Sequence, residues 1–317
     1  MSCTVGVDVG GTNVRVALGN SKGKIVTRLS ERSNKLSGPQ SISQQIIRMI
    51  HSLAPIRKIR YIGIGSAGPL DQNEGSIVNS PHLGFDRIPL VKPLRREMKV
   101  PVYLTNDCVA GVIAEKEFGQ GKGSPNLVYV TISSGIGAGV FVDNHLLVGK
   151  DGNAHEVGHI TIDNTGKLMC GCGKNGHWEA YCGGANASNF IKYQFESKPR
   201  TEIEASLLYK TSGGDLNKLS SEDLFTCARN GDKLALEMVE EMGRLNAIGF
   251  ANVTNAYDPE LITVGGAMAL ANSSLILKPI RRLIRQYSLN RIPAIRVTKL
   301  GEDIVLYGAL LLEKHLR

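Results

Sequence analysis

Leu127-Val-Tyr-Val-Thr-Ile-Ser-Ser-Gly-Ile-Gly-Ala-Gly-Val-Phe-Val-Asp-Asn-His-Leu-Leu-Val148 is the stretch on which the fold turns. Its β-branched and alternating residues predict a strand over 127–132, a glycine turn over 133–139, a strand over 140–142, a turn at 143–145 and a third strand over 146–148. The same pattern opens the chain. Residues 4–9 read as a strand, Gly10-Gly11-Thr12-Asn13 as a turn, 14–18 as a strand, 20–23 as a turn and 24–28 as a strand. Two such units in one chain point to a duplicated domain. Neither glycine turn is followed by a helix, and the Gly-Lys-Ser/Thr ending of a Walker loop is absent, so both common nucleotide fingerprints are excluded. A glycine hairpin still brings backbone N–H groups close to an anion, and two of them can hold phosphates from two sides.

A second dense stretch is Asn153-Ala-His-Glu-Val-Gly-His159, with Met169-Cys-Gly-Cys-Gly-Lys-Asn-Gly-His-Trp-Glu179 after it. Thiolate and imidazole are the ligands of tetrahedral zinc, and His159, Cys170, Cys172 and His177 are spaced to close one loop around it. Glu156 and Glu179 flank these ligands, which suggests a small polar molecule nearby. Cys3, Cys108, Cys182 and Cys227 lie among apolar neighbours and read as core residues in a reducing compartment.

The 317 residues, 42% hydrophobic and 21% charged, suit a soluble protein of two ordinary domains. No apolar run reaches the length of a membrane span, and the first residues lack the basic and apolar regions of a secretory signal, so a cytoplasmic location is expected. A net charge of +8 raises nucleic acid as a partner. However, Arg281, Arg282 and Arg285 fit the solvated face of a helix, and no aromatic interleaving or helix-turn-helix accompanies them.

Between these landmarks, residues 41–53 carry apolar side chains at helical spacing, 62–65 and 100–104 read as strands, and 77–85 as an irregular ligand rim. Thr105-Asn106-Asp107 caps a helix over 108–118. Asp107 is an ordinary capping acid on one reading. On the other it is a catalytic carboxylate at a strand's C-terminal end. Helices are expected over 186–197, 232–257 and 303–316, and strands over 261–264 and 294–298. Gly265-Gly266 forms a third junction of strand and glycine.

Taken together, Asp8-Val-Gly-Gly-Thr12, Asn106-Asp107, Ser134-Gly-Ile-Gly137, Glu156-Val-Gly-His159 and Cys170-Gly-Cys-Gly-Lys-Asn-Gly-His-Trp-Glu179 resemble the ROK family of sugar kinases and repressors. The resemblance covers nearly the whole chain. It implies an α/β, two-domain actin-like ATPase fold of the ribonuclease H-like type, with sugar and nucleotide in a cleft between domains. It would divide the chain into 1–117 plus 300–317 and 118–299.

The resemblance makes Asp107 the general base and Asn106, Asp107, Glu156, His159 and Glu179 sugar contacts. Gly10, Gly11, Thr12, Ser134, Gly135 and Gly137 correspond to phosphate loops, Gly265 and Gly266 to the adenosine side, and Asp8 to the magnesium side. His159, Cys170 and Cys172 fall at zinc positions. The family usually has Cys at position 177 and Gly at position 155, where this chain has His177 and His155. The first change replaces one zinc ligand type with another, and the second alters the sugar pocket. The implied activity is ATP-dependent phosphorylation of a hexose, glucose or a close relative, at the 6-hydroxyl, with Mg²⁺, structural Zn²⁺ and a homodimer or homotetramer. An N-acetylhexosamine kinase is the alternative. A sugar-responsive regulator fits less well, because the first strand begins within a few residues of Met1.

Overall fold

Strand β1 (Cys3–Val9) is buried along most of its length on both faces and lies inside a sheet rather than at its edge. It runs antiparallel to β2 (Asn13–Gly19), which runs antiparallel to β3 (Ile25–Arg32). There follow α1 (Ser41–Leu53), β4 (Ile59–Ser66), three short strands, β5 (Leu70–Asp71), β6 (Ser76–Val78) and β7 (Arg87–Pro89), then α2 (Val91–Met98), β8 (Val102–Asn106) and α3 (Asp107–Glu117). The computed structural model describes residues 3–35, 38–53, 58–80 and 83–316.

The first sheet has the order β3-β2-β1-β4-β8, with β4 parallel to β1 and β8 parallel to β4. Register sets Val9 beside Ser66 and Ser66 beside Asn106, so the C-terminal ends of the three parallel strands are level. Ligands of open α/β sheets gather at that edge. Val5, Val7, Ile62 and Ile64 are fully buried, and α1 packs its Ile42, Ile46 and Ile50 stripe into the same core.

The second sheet repeats the plan. Its strands are β9 (Leu127–Ile132), β10 (Ile136–Val142) and β11 (His145–Leu146), with β12 (Leu261–Gly265) and β13 (Ala294–Val297) added much later in the chain. The order is β11-β10-β9-β12-β13. By rank, both sheets read third, second, first, fourth, fifth, which is the duplication the two glycine hairpins foretell. Between β11 and β12 lie α4 (Trp178–Cys182), α5 (Ala187–Phe195), α6 (Arg200–Ala205), α7 (Leu207–Ser212), α8 (Ser221–Arg229) and α9 (Lys233–Tyr257). Asp232 caps α9 by accepting from the Ala235 amide. α10 (Ala267–Ala271) and α11 (Ser273–Leu283) precede β13, and α12 (Ile304–Ala309) and α13 (Leu312–His315) close the chain.

The chain forms two compact units: Met1–Tyr129 with Gly139–His155 and Lys299–Arg317, and Val130–Ala138 with Glu156–Thr298.

Several expectations need correction. The second glycine turn is shorter than the sequence suggests, because β10 starts at Ile136 and takes Gly137 and Gly139 into the strand. A Cβ on Gly139 would sit 2.1 Å from the Cys108 carbonyl oxygen, so that glycine serves close packing of the strand on α3. The closing helix is broken at Leu310, whose carbonyl accepts from the Tyr61 hydroxyl. The expected rim over 77–85 contributes β6 to a small sheet of order β5-β6-β7, while Pro81 and His82 lie outside the described residues. The arginines read as a solvated helix face need no correction: Arg281, Arg282 and Arg285 are exposed, with Arg281 donating to the Ile295 carbonyl and Arg282 paired with Glu240. No helix among the described residues is long and apolar enough to cross a membrane.

Candidate functional site

The first unit holds Asp8, Gly10, Gly11, Thr12, Asn106 and Asp107. Asp8 is on β1 one residue from its end, directly paired with Arg15 on β2, and the two form an ion pair at 3.3 Å. Burial raises the Asp8 carboxyl to about 7; Arg15 opposes this, and the charges of Asp107 and Asp303 reinforce it. The turn beyond it is held from one side: the Ser33 hydroxyl donates to the Gly10 carbonyl at 2.7 Å and the Ser33 amide to the Thr12 carbonyl at 2.9 Å. Fixing both carbonyls fixes the orientation of the turn's peptide groups.

Asn106, not Asp107, is the N-cap of α3, and its Oδ1 accepts from the Cys108 amide at 2.7 Å. Asp107 is the first helical residue and also accepts from Cys108, at 2.8 Å. Burial lifts the Asp107 carboxyl above its ordinary range, while the Cys108 hydrogen bonds and the charge of His155 pull it down. His155 is 1% exposed, and its Nε2 lies 2.9 Å from the Gly152 carbonyl, so that nitrogen carries the proton. The ring is thus tied to its own loop.

The second unit holds Ser134, Gly135, Gly137, Glu156, His159, Glu179, Gly265 and Gly266. The 133–135 turn is tied as the first is, since Gly184 and Ala185 donate their amides to the Ser133 and Ser134 carbonyls, both at 2.8 Å. Glu179 approaches the same turn. Its Oε2 accepts from the Ile136 amide at 2.8 Å, and a Cβ on Gly135 would lie 2.4 Å from that oxygen. Gly266 has φ +89° and abuts the Ile132 carbonyl, a position that only glycine fills without strain.

His159, Cys170, Cys172 and His177 come together, with one donor atom from each lying within 4.8 Å of all the others. Cys170 Sγ is 3.7 Å from His159 Nδ1, and Cys172 Sγ is 3.3 Å from His177 Nδ1. Tetrahedral zinc bonds imply sulfur–nitrogen separations of about 3.5 Å, so the donor set fits that ion. His159 faces two ways: Nδ1 points to Cys170, and Nε2 lies 3.7 Å from Glu156 Oε2. A carboxylate behind a ligating imidazole is a common means of orienting the ring. Cys182 stays outside the cluster, its buried thiol directed to the Met242 carbonyl at 3.6 Å.

Sequence reading missed Arg15 and Ser33. The Asp8–Arg15 pairing was legible, because a four-residue turn at 10–13 pairs 9 with 14 and hence 8 with 15. Ser33 carries no local signal.

Comparison with known proteins adds to this geometry. The sequence profile described as the ROK family matches residues 4–315. A glucokinase of Pyrobaculum calidifontis is 36% identical over 309 residues, covering 98% of this chain and 94% of that protein. Among solved structures, a ROK family glucokinase from Streptomyces griseus in complex with glucose and AMPPNP superposes with a TM-score of 0.75 and 26% identity, covering 98% of this chain and 99% of that one. A ROK hexokinase from Thermus thermophilus gives 0.78 and 28%, covering 98% and 97%.

Proposed function

The chain belongs to the ROK family, and from that premise we propose that it phosphorylates a hexose, glucose or a close relative, at the 6-hydroxyl with ATP as donor. The observation that carries the reading is the match to glucokinases along almost the whole chain, with Asp107 standing at the end of β8 where an acceptor hydroxyl would need a base.

In this reading Asp107 accepts the hydroxyl proton. Its burial keeps the carboxyl basic enough to do so, and the Cys108 amide keeps it ionised enough to be available. Asn106 beside it, and Glu156, His159 and Glu179 in the second unit, bind sugar hydroxyls. Phosphoryl transfer depends on positioning and charge neutralisation more than on covalent help, so the backbone of the 10–12 and 133–137 turns carries much of the work. Gly265 and Gly266 take the adenosine side. Asp8 supplies one oxygen ligand to Mg²⁺, which accepts one or two carboxylates and otherwise water and phosphate. The fit is physical: the charges of Asp107 and Asp303 raise the cost of charging Asp8, and a cation relieves that repulsion. Mg²⁺ would neutralise charge on the transferring phosphate. Zn²⁺ in the four-residue cluster would brace the loop that bears Glu156 and Glu179.

ATP as donor and thiol ligands for zinc suit the cytoplasm, and a homodimer or homotetramer completes the proposal, to be read by light scattering on the purified chain. A coupled assay with ATP and Mg²⁺ across glucose, fructose, mannose, N-acetylglucosamine and N-acetylmannosamine tests the activity. Glucose or mannose is expected to give the highest kcat/KM. A preference for an N-acetylhexosamine would move the assignment to that kinase class, and no turnover with any sugar would overturn it.

A further inference from the structure

Trp178 stands between a metal-cluster residue and a sugar-site residue, His177 and Glu179. It is the chain's single tryptophan and is fully buried. Its backbone amide donates to the Ile160 carbonyl at 3.0 Å, one residue beyond His159. The indole reaches the other way, onto α9. There Nε1 donates to Asn246 Oδ1 at 2.9 Å, the ring meets Phe250 edge to face at 5.6 Å, and Gly249 provides the space. A Cβ on Gly249 would lie 2.3 Å from the ring.

Asn246 is the unexpected member of this set. It is 1% exposed, its oxygen is used by Trp178, and its Nδ2 finds no hydrogen-bond partner among the described residues. An amide stripped of water with half its hydrogen bonds unmade is unfavourable; a leucine of similar volume would avoid that loss but leave the indole N–H without this acceptor. What asparagine adds is direction, because an N–H···O bond restricts the rotation of the indole where apolar packing alone does not.

Direction matters at this position. Successive side chains on a helix emerge about 100° apart, so locking the first residue of α4 sets the azimuth of Glu179, and the backbone continuity sets that of His177. Glu179 is correspondingly well placed, on the Ile136 amide with one oxygen and 3.5 Å from Cys170 Sγ with the other. We propose that Asn246 is a positioning residue, acting through Trp178 to aim Glu179 at the sugar and His177 at the metal. The sugar half of this inference rests on the kinase reading above, and the metal half does not.

The test uses the full-length protein and the variants Asn246→Leu, Asn246→Asp and Trp178→Phe. Because Trp178 is alone, fluorescence of the metal-free protein reports its hydrogen bond directly, and Asn246→Leu is expected to shift the emission to the blue. In Asn246→Leu and Trp178→Phe, zinc is expected to pass to a chromogenic chelator about tenfold faster, and the KM for glucose to rise about tenfold with the KM for ATP unmoved. The double variant is expected to be no worse than either single one, and Asn246→Asp, which keeps an acceptor oxygen, to recover zinc retention. Should Asn246→Leu fail to fold, Trp178→Phe, which keeps most of the ring, decides. Unchanged zinc release and unchanged glucose KM in a folded variant overturn the proposal, as does a general loss of stability and kcat with both KM values unmoved. If the wild type phosphorylates no hexose, the kinase reading fails while the zinc-release and fluorescence measurements still judge the anchor.

Discussion

Asp8 and Arg15 face each other across the first hairpin, at paired positions on β1 and β2, and Arg15 also donates to the Glu302 carbonyl at 3.1 Å. The guanidinium is therefore held from both sides. Even so, the Asp8 carboxyl sits at about 7, because the loss of water on burial outweighs the ion pair.

That balance gives stability a defined pH dependence. A carboxyl raised from 3.8 to about 7 on folding binds its proton more tightly in the folded state, so its contribution is present below pH 3.8 and is lost as pH rises through 7. In metal-free protein, Asp8→Asn is expected to be more stable than the wild type at pH 8, by a few kcal/mol at most, with the difference shrinking towards pH 4. Thermal unfolding of both proteins across that range checks it. A difference that is constant with pH would contradict the argument.

Asp107→Asn is expected to lower kcat about 10²- to 10⁴-fold, the usual range for loss of a general base, and to leave sugar affinity within a few-fold. Kinetics paired with calorimetric sugar titration measures both. Retained turnover would remove Asp107 from the proton transfer.

His155 bears on the same proton. Its positive charge lowers the Asp107 carboxyl, so His155→Gln should raise it and move the acid limb of kcat/KM towards higher pH. His155→Gly, with no ring near Asp107, should move the limb in the same direction and change sugar preference. An unmoved limb in both variants would show that the ring acts on shape alone.

Metal analysis is expected to find about one zinc per chain, the number that four ligands can hold. His177→Cys should keep it, and His177→Ala should lower retention and the Tm together. A fully active, metal-free wild type would exclude zinc from the site.

Gly158 lies between Glu156 and His159, and a Cβ there would fall 2.1 Å from the Ile136 carbonyl oxygen. Gly158→Ala is expected to cost about 1–3 kcal/mol by denaturant unfolding, the range for overpacking against atoms that cannot yield. A neutral result would mean that the 156–159 turn moves freely against β10.

Much of the fold was legible because its signals are short-range. The strands of both glycine hairpins, the α1 stripe from Ile42 to Leu53 and the Asp232 cap of α9 follow from side-chain alternation, helical spacing and capping, which act over a few residues. The grouping of His159, Cys170, Cys172 and His177 was legible for the same reason, since all four fall within a short span of sequence. What escaped were breaks imposed from a distance. The Tyr61 hydroxyl takes the Leu310 carbonyl and ends a helix whose spacing runs on, and β10 admits Gly137 and Gly139 because Cys108 crowds one of them.

The sequence alone therefore determined the class, the duplicated plan and the residue types that could bind phosphate, sugar and metal. Tertiary structure decided which of them meet. Glu179 reaches Ile136 across 43 positions, Trp178 reaches Asn246 across 68, and Arg15 reaches Glu302 across 287. Bringing such distant residues together costs chain entropy that no local preference repays, so these pairings exist only because two sheets and a buried helix have already packed around them.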